Sequence, residues 1–328
     1  MQNTLTISVY GKIFSIGRAA LGIGLVGFIL FGRDNGINTS LFLDAVWLIA
    51  VLPMLALVGG LVEAFRLGLL CRSQHAQLGI WHGLRLVLVS VFFNFFVPGG
   101  TGGDVAKIYY LAADNPGKGL ELAVVVFVDR ITGLLGMIVS VLLLALANIT
   151  LVSEYPIIRW LLGALAVVLV GVTSVTLLFY AGAFRKSSIL GHIRSWLPLQ
   201  NHVDRVAEAV DAFRFHKLSL LAAVMISVLG NGMMILMFLL AGTVFMPDAP
   251  GITVCFLAVL GMFANALPLT PGGLGVGEAA FEGLFGLLGI SSGAMLMVSW
   301  RLGMLPLGLL GGLYYITGTC RKSAPDAQ

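Results

Sequence analysis

Charge is scarce in this 328-residue sequence, since Asp, Glu, Lys and Arg together make up only 10% of it. Soluble globular domains carry about 25% charged residues. Hydrophobic residues make up 59% of the chain, and its mean hydropathy is +1.01. This composition excludes an ordinary soluble domain and predicts an all-α protein that crosses a membrane several times.

Metal-binding and nucleotide-binding motifs are also missing. Cys71, Cys255 and Cys320 lie far apart, with no CxxC pair and no Cys/His spacing typical of a metal site. Neither a dinucleotide-binding nor a P-loop glycine motif follows a strand-like run, and no Ser/His/Asp or Cys/His constellation is present. We therefore predict no metal, no cofactor and no catalytic residues. The net charge of +4 lies in loops beside apolar runs, which favours membrane lipids over nucleic acid as the partner.

Six apolar runs reach the length of about 20 residues that a bilayer-spanning helix needs. They cover approximately residues 15–31, 45–70, 120–147, 160–184, 218–245 and 292–317. Lysine and arginine are concentrated in segments 1–18, 66–85 and 185–217. Because basic loops stay in the cytoplasm, we expect a multi-pass protein of the cell's inner membrane, with the N-terminus and the C-terminus cytoplasmic. Apolar residues at helical spacing within 185–217 predict an amphipathic linker on the membrane surface.

Two further apolar runs are interrupted by proline and glycine. The breaks contain Pro98, Gly99 and Gly100 in the first run, and Pro271, Gly272 and Gly273 in the second. Because Pro lacks an amide donor and Gly weakens a helix, each run should form a helical hairpin. The loop charges predict that both hairpins are re-entrant, the first from the cytoplasm and the second from outside. The run 252–269 is nearly long enough to cross alone, which would instead place the C-terminus outside.

Polar residues recur at nearly constant spacing in the two parts of the chain. Asn265 and Arg301 follow Asn94 and Arg130 by 171 residues, and Glu278 follows Asp104 by 174 residues. This predicts one transmembrane domain, 1–328, made of two inverted halves (about 15–147 and 218–318) joined by the linker. Transporters built from inverted repeats bind substrate near the membrane midplane, at broken helices.

Arg130 and Arg301 lie inside predicted spans, where a charge costs at least about 2.5 kcal/mol. We expect both to face a polar cavity, where a guanidinium group could bind a lipid phosphate in bidentate fashion. Structural ion pairs are one alternative, and snorkelling to the membrane interface is another. The candidate partners are Asp104 or Glu121 for Arg130, and Glu278 or Glu282 for Arg301. Asp129 is a poor partner for Arg130, because adjacent helical residues point about 100° apart.

The residues around the two breaks each allow two interpretations. Asp104 and Glu278 are either capping carboxylates at a helix start or gate residues that contact the headgroup and the arginines. Asn94 and Asn265 either satisfy the broken backbone or contact the headgroup.

Three more charged residues lie near the first break. Lys107 is either a headgroup contact or a solvated cytoplasmic lysine. Glu63 and Arg66 are three residues apart on one predicted helix, which predicts an intrahelical ion pair.

Three motifs carry a resemblance to a known family. They are Pro98-Gly-Gly-Thr-Gly-Gly-Asp104, Asp129-Arg130 with Gly133, and Pro271-Gly-Gly-Leu-Gly-Val-Gly-Glu278. Over about residues 10–318, the sequence resembles the flippase-like membrane region of lysylphosphatidylglycerol synthases. The resemblance implies a multi-helix lipid flippase domain, which in bifunctional members moves aminoacylated phosphatidylglycerol outward and precedes an aminoacyltransferase domain. This chain ends after its sixth predicted span, so we expect a stand-alone member without aminoacyl-tRNA-dependent synthesis.

These features predict a lipid flippase or transporter that moves an anionic or phosphate-bearing lipid between leaflets. Its cargo would be of the aminoacyl-phospholipid or polyprenyl-phosphate-linked type. One alternative is a lipid-modifying membrane enzyme that uses Asp104 or Glu278 as its catalytic carboxylate. Another is a membrane scaffold for a separate lipid or glycan synthase.

Overall fold

The fold is helical throughout the part of the chain that the structure, a computed structural model, describes: residues 39–96, 102–180, 205, 208–213, 216–265 and 273–318. We number its helices α1 (Thr39–Cys71), α2 (Ile80–Phe96), α3 (Gly102–Asp114), α4 (Gly119–Ala147), α5 (Ile149–Glu154), α6 (Pro156–Tyr180), α7 (Lys217–Phe245), α8 (Gly251–Asn265), α9 (Val276–Gly286) and α10 (Gly293–Ile316). A short 3-10 helix, Arg72–Gln74, follows α1. The all-α prediction is confirmed for these residues.

Five helices are long and apolar enough to cross a membrane. They are Val46–Gln74, Gly119–Ala147, Pro156–Ser174, Lys217–Phe245 and Gly293–Ile316. Each matches one of the predicted spans, so the chain is a multi-pass membrane protein. The predicted span 15–31, the break residues Pro98, Gly99, Gly100, Pro271 and Gly272, and most of the linker 185–217 lie outside the described residues.

The predicted loop at 148–159 is wrong, because this segment holds α5 and the start of α6. Asn148 ends α4 by donating from Nδ2 to the Leu144 carbonyl at 2.9 Å. Its Oδ1 accepts a 2.8 Å hydrogen bond from Thr253 Oγ1, which joins the end of α4 to α8. Pro156 begins α6 at a position where its missing amide donor has no helical acceptor to lose.

Helices α2 and α3 form an antiparallel hairpin. At its open end, His82 Nε2 lies 2.6 Å from Asp114 Oδ2. Near the break, a Cβ on Gly103 would lie 2.2 Å from Ser90 Oγ, so only glycine permits this approach. Helices α8 and α9 pack in the same way, with Gly261 against the ring of Phe281. Both broken runs therefore fold into paired short helices.

The contacts between helices follow an approximate two-fold symmetry. Exchanging α1–α4 with α7–α10 leaves the contact pattern unchanged: α1 packs on α2 as α7 packs on α8, α10 packs on α2 as α4 packs on α8, and α10 packs on α1 as α4 packs on α7. The hairpins and their following long helices obey the same exchange. The sequence repeat is therefore also a repeat of packing.

The crossing of α1 and α7 gives the register of this repeat. A Cβ on Gly59 would lie 3.7 Å from Met233 Cβ, and a Cβ on Gly230 would lie 3.4 Å from Val62 Cγ1. Gly230 and Met233 follow Gly59 and Val62 by 171 residues, the same spacing that separates Arg130 from Arg301. One offset therefore relates the central crossing and the membrane arginines.

Candidate functional site

Arg301 lies at the centre of a buried polar cluster in the second half. Its Nε donates to Glu278 Oε1 at 2.6 Å, and its Nη2 lies 3.3 Å from Glu278 Oε2. The same Nη2 donates to the Gly273 carbonyl at 2.9 Å and to Asn265 Oδ1 at 3.2 Å. Glu278 Oε2 also accepts from the Gly275 amide at 2.8 Å at the start of α9. The second break and α10 are thus joined through one guanidinium group.

Arg130 makes the equivalent pair in the first half. Its Nη1 donates to Asp104 Oδ2, which lies in the first turn of α3. Asn94 Oδ1 accepts from the Gly103 amide at 2.9 Å, so this asparagine satisfies backbone at the break. Asp104 and Glu278 therefore each join the start of a hairpin's second helix to the arginine of the next long helix.

The two pairs differ in how accessible they are. The side chains of Arg130 and Asp104 are 37% and 25% exposed, whereas those of Arg301 and Glu278 are 8% and 5% exposed. A ligand could reach the first pair directly, but it would have to displace packed groups to reach the second. The described contacts place the two arginines in separate pairs, and their predicted common cavity stays a prediction.

Lys107 belongs to a different cluster, which the sequence interpretation missed. Its Nζ lies 2.5 Å from Glu63 Oε1 and 3.6 Å from Asp129 Oδ2. Arg66 Nε donates to Asp129 Oδ1 at 2.7 Å, and Arg66 Nη1 donates to Ser227 Oγ at 2.8 Å. The interpretation of Lys107 as a solvated lysine is wrong, because its side chain is buried. The predicted Glu63–Arg66 pair is also wrong in its partners, since both side chains bond to other helices.

A signal for this cluster is present in the sequence. Asp129 is a second charge at the centre of a span, beside Arg130, and such a charge needs a partner inside the protein. Since an adjacent arginine on the same helix points elsewhere, that partner had to come from another helix. Only the fold shows that α1 and α3 supply it.

The described residues offer no group of three His, Cys, Asp or Glu side chains placed to hold a metal ion. Cys71 and Cys255 are buried thiols on different helices. The site that the geometry presents is therefore a set of guanidinium and carboxylate groups at two helix starts. Such groups bind charged headgroups through salt bridges and hydrogen bonds.

Comparison with known proteins identifies the chain's relatives. The family model described as "Lysylphosphatidylglycerol synthase TM region" matches residues 15–311. The chain belongs to this family. A search of curated proteins and a search of solved structures each found no match. As a member of this family, the chain is a lipid-related membrane protein, and the matched region contains all four residues of the two arginine–carboxylate pairs.

Proposed function

We propose that this chain moves a phosphate-bearing lipid between the two leaflets, with Arg130 and Arg301 as headgroup contacts. The observation that supports this most directly is the equivalence of the two arginine–carboxylate pairs. Each pair lies at a broken hairpin, and the 171-residue repeat relates one to the other. Transporters with internal repeats place their substrate sites at such positions.

The hairpins have the dimensions of re-entrant elements. At 1.5 Å per residue, α2 and α3 are about 25 and 20 Å long, and α8 and α9 are about 22 and 16 Å long. The hydrocarbon core is about 30 Å thick. We propose that the first hairpin enters from the cytoplasm and the second from outside an inner membrane, with both termini cytoplasmic.

The unequal exposure of the two pairs fits one state of a transport cycle. The Asp104–Arg130 pair is accessible while the Glu278–Arg301 pair is sealed. In the opposite state, the two halves would exchange these roles. A headgroup would then meet one arginine on each side of the membrane.

The pairing of each arginine narrows the headgroup chemistry. A phosphate that displaced a carboxylate from Arg130 or Arg301 would leave that carboxylate unpaired, which is costly away from water. A headgroup with both a phosphate and an ammonium group would compensate both charges. This favours an aminoacyl-phospholipid type over the polyprenyl-phosphate-linked type that also carries phosphate. A separate synthase would supply such a lipid.

Leaflet exchange in reconstituted vesicles tests the function. Vesicles would contain trace fluorescent phosphatidylethanolamine, phosphatidylglycerol or a phosphate-free glycolipid, and exchange would be followed by quenching of the outer leaflet. We expect fastest exchange of phosphatidylethanolamine, and at least about a tenfold loss in Arg130→Ala and Arg301→Ala, because a hydrogen bond to a charged group contributes about 1.5–3 kcal/mol.

Arg159→Ala is the matched control, since Arg159 is an exposed arginine near the start of α6. Equal exchange by wild type and both site variants, at equal protein level, would reject the headgroup role. A new lipid mass in the same vesicles would instead favour the lipid-modifying enzyme.

A further inference from the structure

The buried charges of the first half form a continuous chain across four helices. Glu63 and Arg66 come from α1, Lys107 from α3, Asp129 from α4, and Ser227 closes the chain from α7. We call the first four residues the quartet. It contains two acids and two bases, so its formal charge is zero.

The second half packs the same crossing without any charge. The 171-residue offset relates Glu63, Arg66 and Asp129 to Met234, Met237 and Trp300, and the 174-residue offset of the hairpins relates Lys107 to Phe281. Met237 and Phe281 are buried, and Met234 and Trp300 pack against the same apolar core. The fold therefore does not require ionisable groups at these positions.

Replacing a buried ion network with apolar residues is often neutral or stabilising. The chain contains that apolar solution in one half and retains four charges in the other. Ionisable residues within membrane segments are expensive and mark ion or proton pathways by default. This internal comparison indicates that the quartet serves a purpose other than folding.

Lys107 can move between two carboxylates within the quartet. Its Nζ is 2.5 Å from Glu63 and 3.6 Å from Asp129, while Arg66 also holds Asp129. Glu63 is the accessible end, with its side chain 36% exposed against 4% for Lys107. A shift of Lys107 toward Asp129 would leave Glu63 without its partner from α3. A carboxylate in that situation is stabilised by taking up a proton.

The groups facing Glu63 are few. They are Lys107 from α3, Asp129 from α4 behind it, and Arg66 from its own helix, and α7 adds the Ser227 hydroxyl through Arg66. Other charged residues of neighbouring helices have described contacts elsewhere: His82 with Asp114, Arg85 over Tyr314, and Arg301 with Glu278.

We propose that Glu63 is a proton-binding site whose protonation lets Lys107 pass to Asp129, so that the α2–α3 hairpin can shift against α1. The proton comes from the aqueous phase and neutralises the Glu63 carboxylate, while Lys107 keeps its charge. When the hairpin returns, Lys107 pairs with Glu63 again and the proton leaves. Coupling of this step to lipid movement rests on the proposed function, but the proton-binding step does not.

Infrared difference spectra of the purified protein between neutral and acidic pH test the site alone. We expect a carboxylic-acid C=O band in wild type that is missing in Glu63→Gln and retained in Glu154→Gln, whose residue is exposed at the end of α5. Glu63→Met with Lys107→Phe installs the second half's residues, should the single variant misfold, and it should also lack the band. A band that persists in both Glu63 variants overturns the proposal.

A pH gradient across reconstituted vesicles tests the coupling. We expect wild-type lipid exchange to differ at least threefold between the two gradient directions, and Glu63→Gln to give a ratio near one. A Glu63-dependent band with no lipid exchange would keep the proton site and reject the transport function. Lipid exchange with equal rates in both directions and no such band would reject the proton site and keep the transport function.

Discussion

Arg301 and Glu278 form a bidentate contact with Nε–Oε1 at 2.6 Å, and in the second half they occupy the place that Arg130 and Asp104 occupy in the first. The two pairs have equivalent partners but different exposure. This contrast makes the energetic consequences of breaking each pair predictable. It also separates a structural contribution from a role in headgroup binding.

Removal of the buried acid should be the more damaging change. Glu278→Ala leaves the Arg301 guanidinium buried with only an amide and a carbonyl as its printed acceptors. Breaking a buried pair in this way costs about 3–5 kcal/mol. Asp104→Ala breaks a partly exposed pair, for which about 1 kcal/mol or less is expected. Thermal unfolding of the purified variants in detergent measures both losses.

The matched variant for this comparison is Glu278→Ala combined with Arg301→Met. Since it removes both charges, it should recover much of the stability that the single change loses. Equal destabilisation by Asp104→Ala and Glu278→Ala would contradict the difference in burial.

Membrane topology is predicted for the four open ends of the hairpins. In a background without native cysteines, Gln77→Cys and Pro116→Cys flank the first hairpin, and Asp248→Cys and Ser291→Cys flank the second. A membrane-impermeant thiol reagent should label the first two only from the cytoplasmic side and the last two only from outside. These four positions are exposed in the structure, so each thiol can react.

Labelling of positions 248 and 291 from opposite sides would show that the second hairpin crosses the membrane. That result would replace the re-entrant arrangement. The control is the cysteine-free background, which should not react from either side.

The sequence predicted those features that local patterns control. Long apolar runs marked α1, α4, α6, α7 and α10, and proline with glycine marked the two hairpins. The spacing of Asn94, Arg130 and their counterparts indicated the repeat before any contact was visible. Asp104 and Glu278 were among the partners that the sequence offered for the two arginines, and the structure selects them.

The sequence did not predict contacts that depend on how separate helices rotate. Lys107 has a polar sequence environment and could have faced water, but α3 turns it toward Glu63 on α1. Asp129 and Arg130 are adjacent, yet their bonds go to different helices. Choosing between an intrahelical pair and a network across helices requires the packing of α1 against α3 and α4, which no local pattern encodes.

Gly273 should be more sensitive to alanine than other glycines with positive φ. Its φ is +68°, and a Cβ there would lie 2.1 Å from Asn265 Oδ1. Gly289 has φ +73° with open space around it, so Gly289→Ala reports the backbone strain alone. We expect Gly273→Ala to lower the unfolding temperature more than Gly289→Ala and to slow lipid exchange, because it displaces a carbonyl that Arg301 binds. Equal effects of the two changes would remove the argument for a close contact at Gly273.

The crossing of α2 and α10 depends on a glycine. A Cβ on Gly311 would lie 1.9 Å from the Leu88 carbonyl oxygen, so Gly311→Ala forces the two helices apart. Overpacking of this kind costs about 1–3 kcal/mol. Gly163→Ala on α6 is the control, because a Cβ there meets nothing within 4 Å and alanine favours the helix by up to about 1 kcal/mol. In thermal unfolding, Gly311→Ala should therefore melt below wild type and Gly163→Ala at or above it. Because α2 belongs to the first hairpin and α10 contains Arg301, an unchanged melting temperature in Gly311→Ala would mean that the two halves do not meet as closely as described.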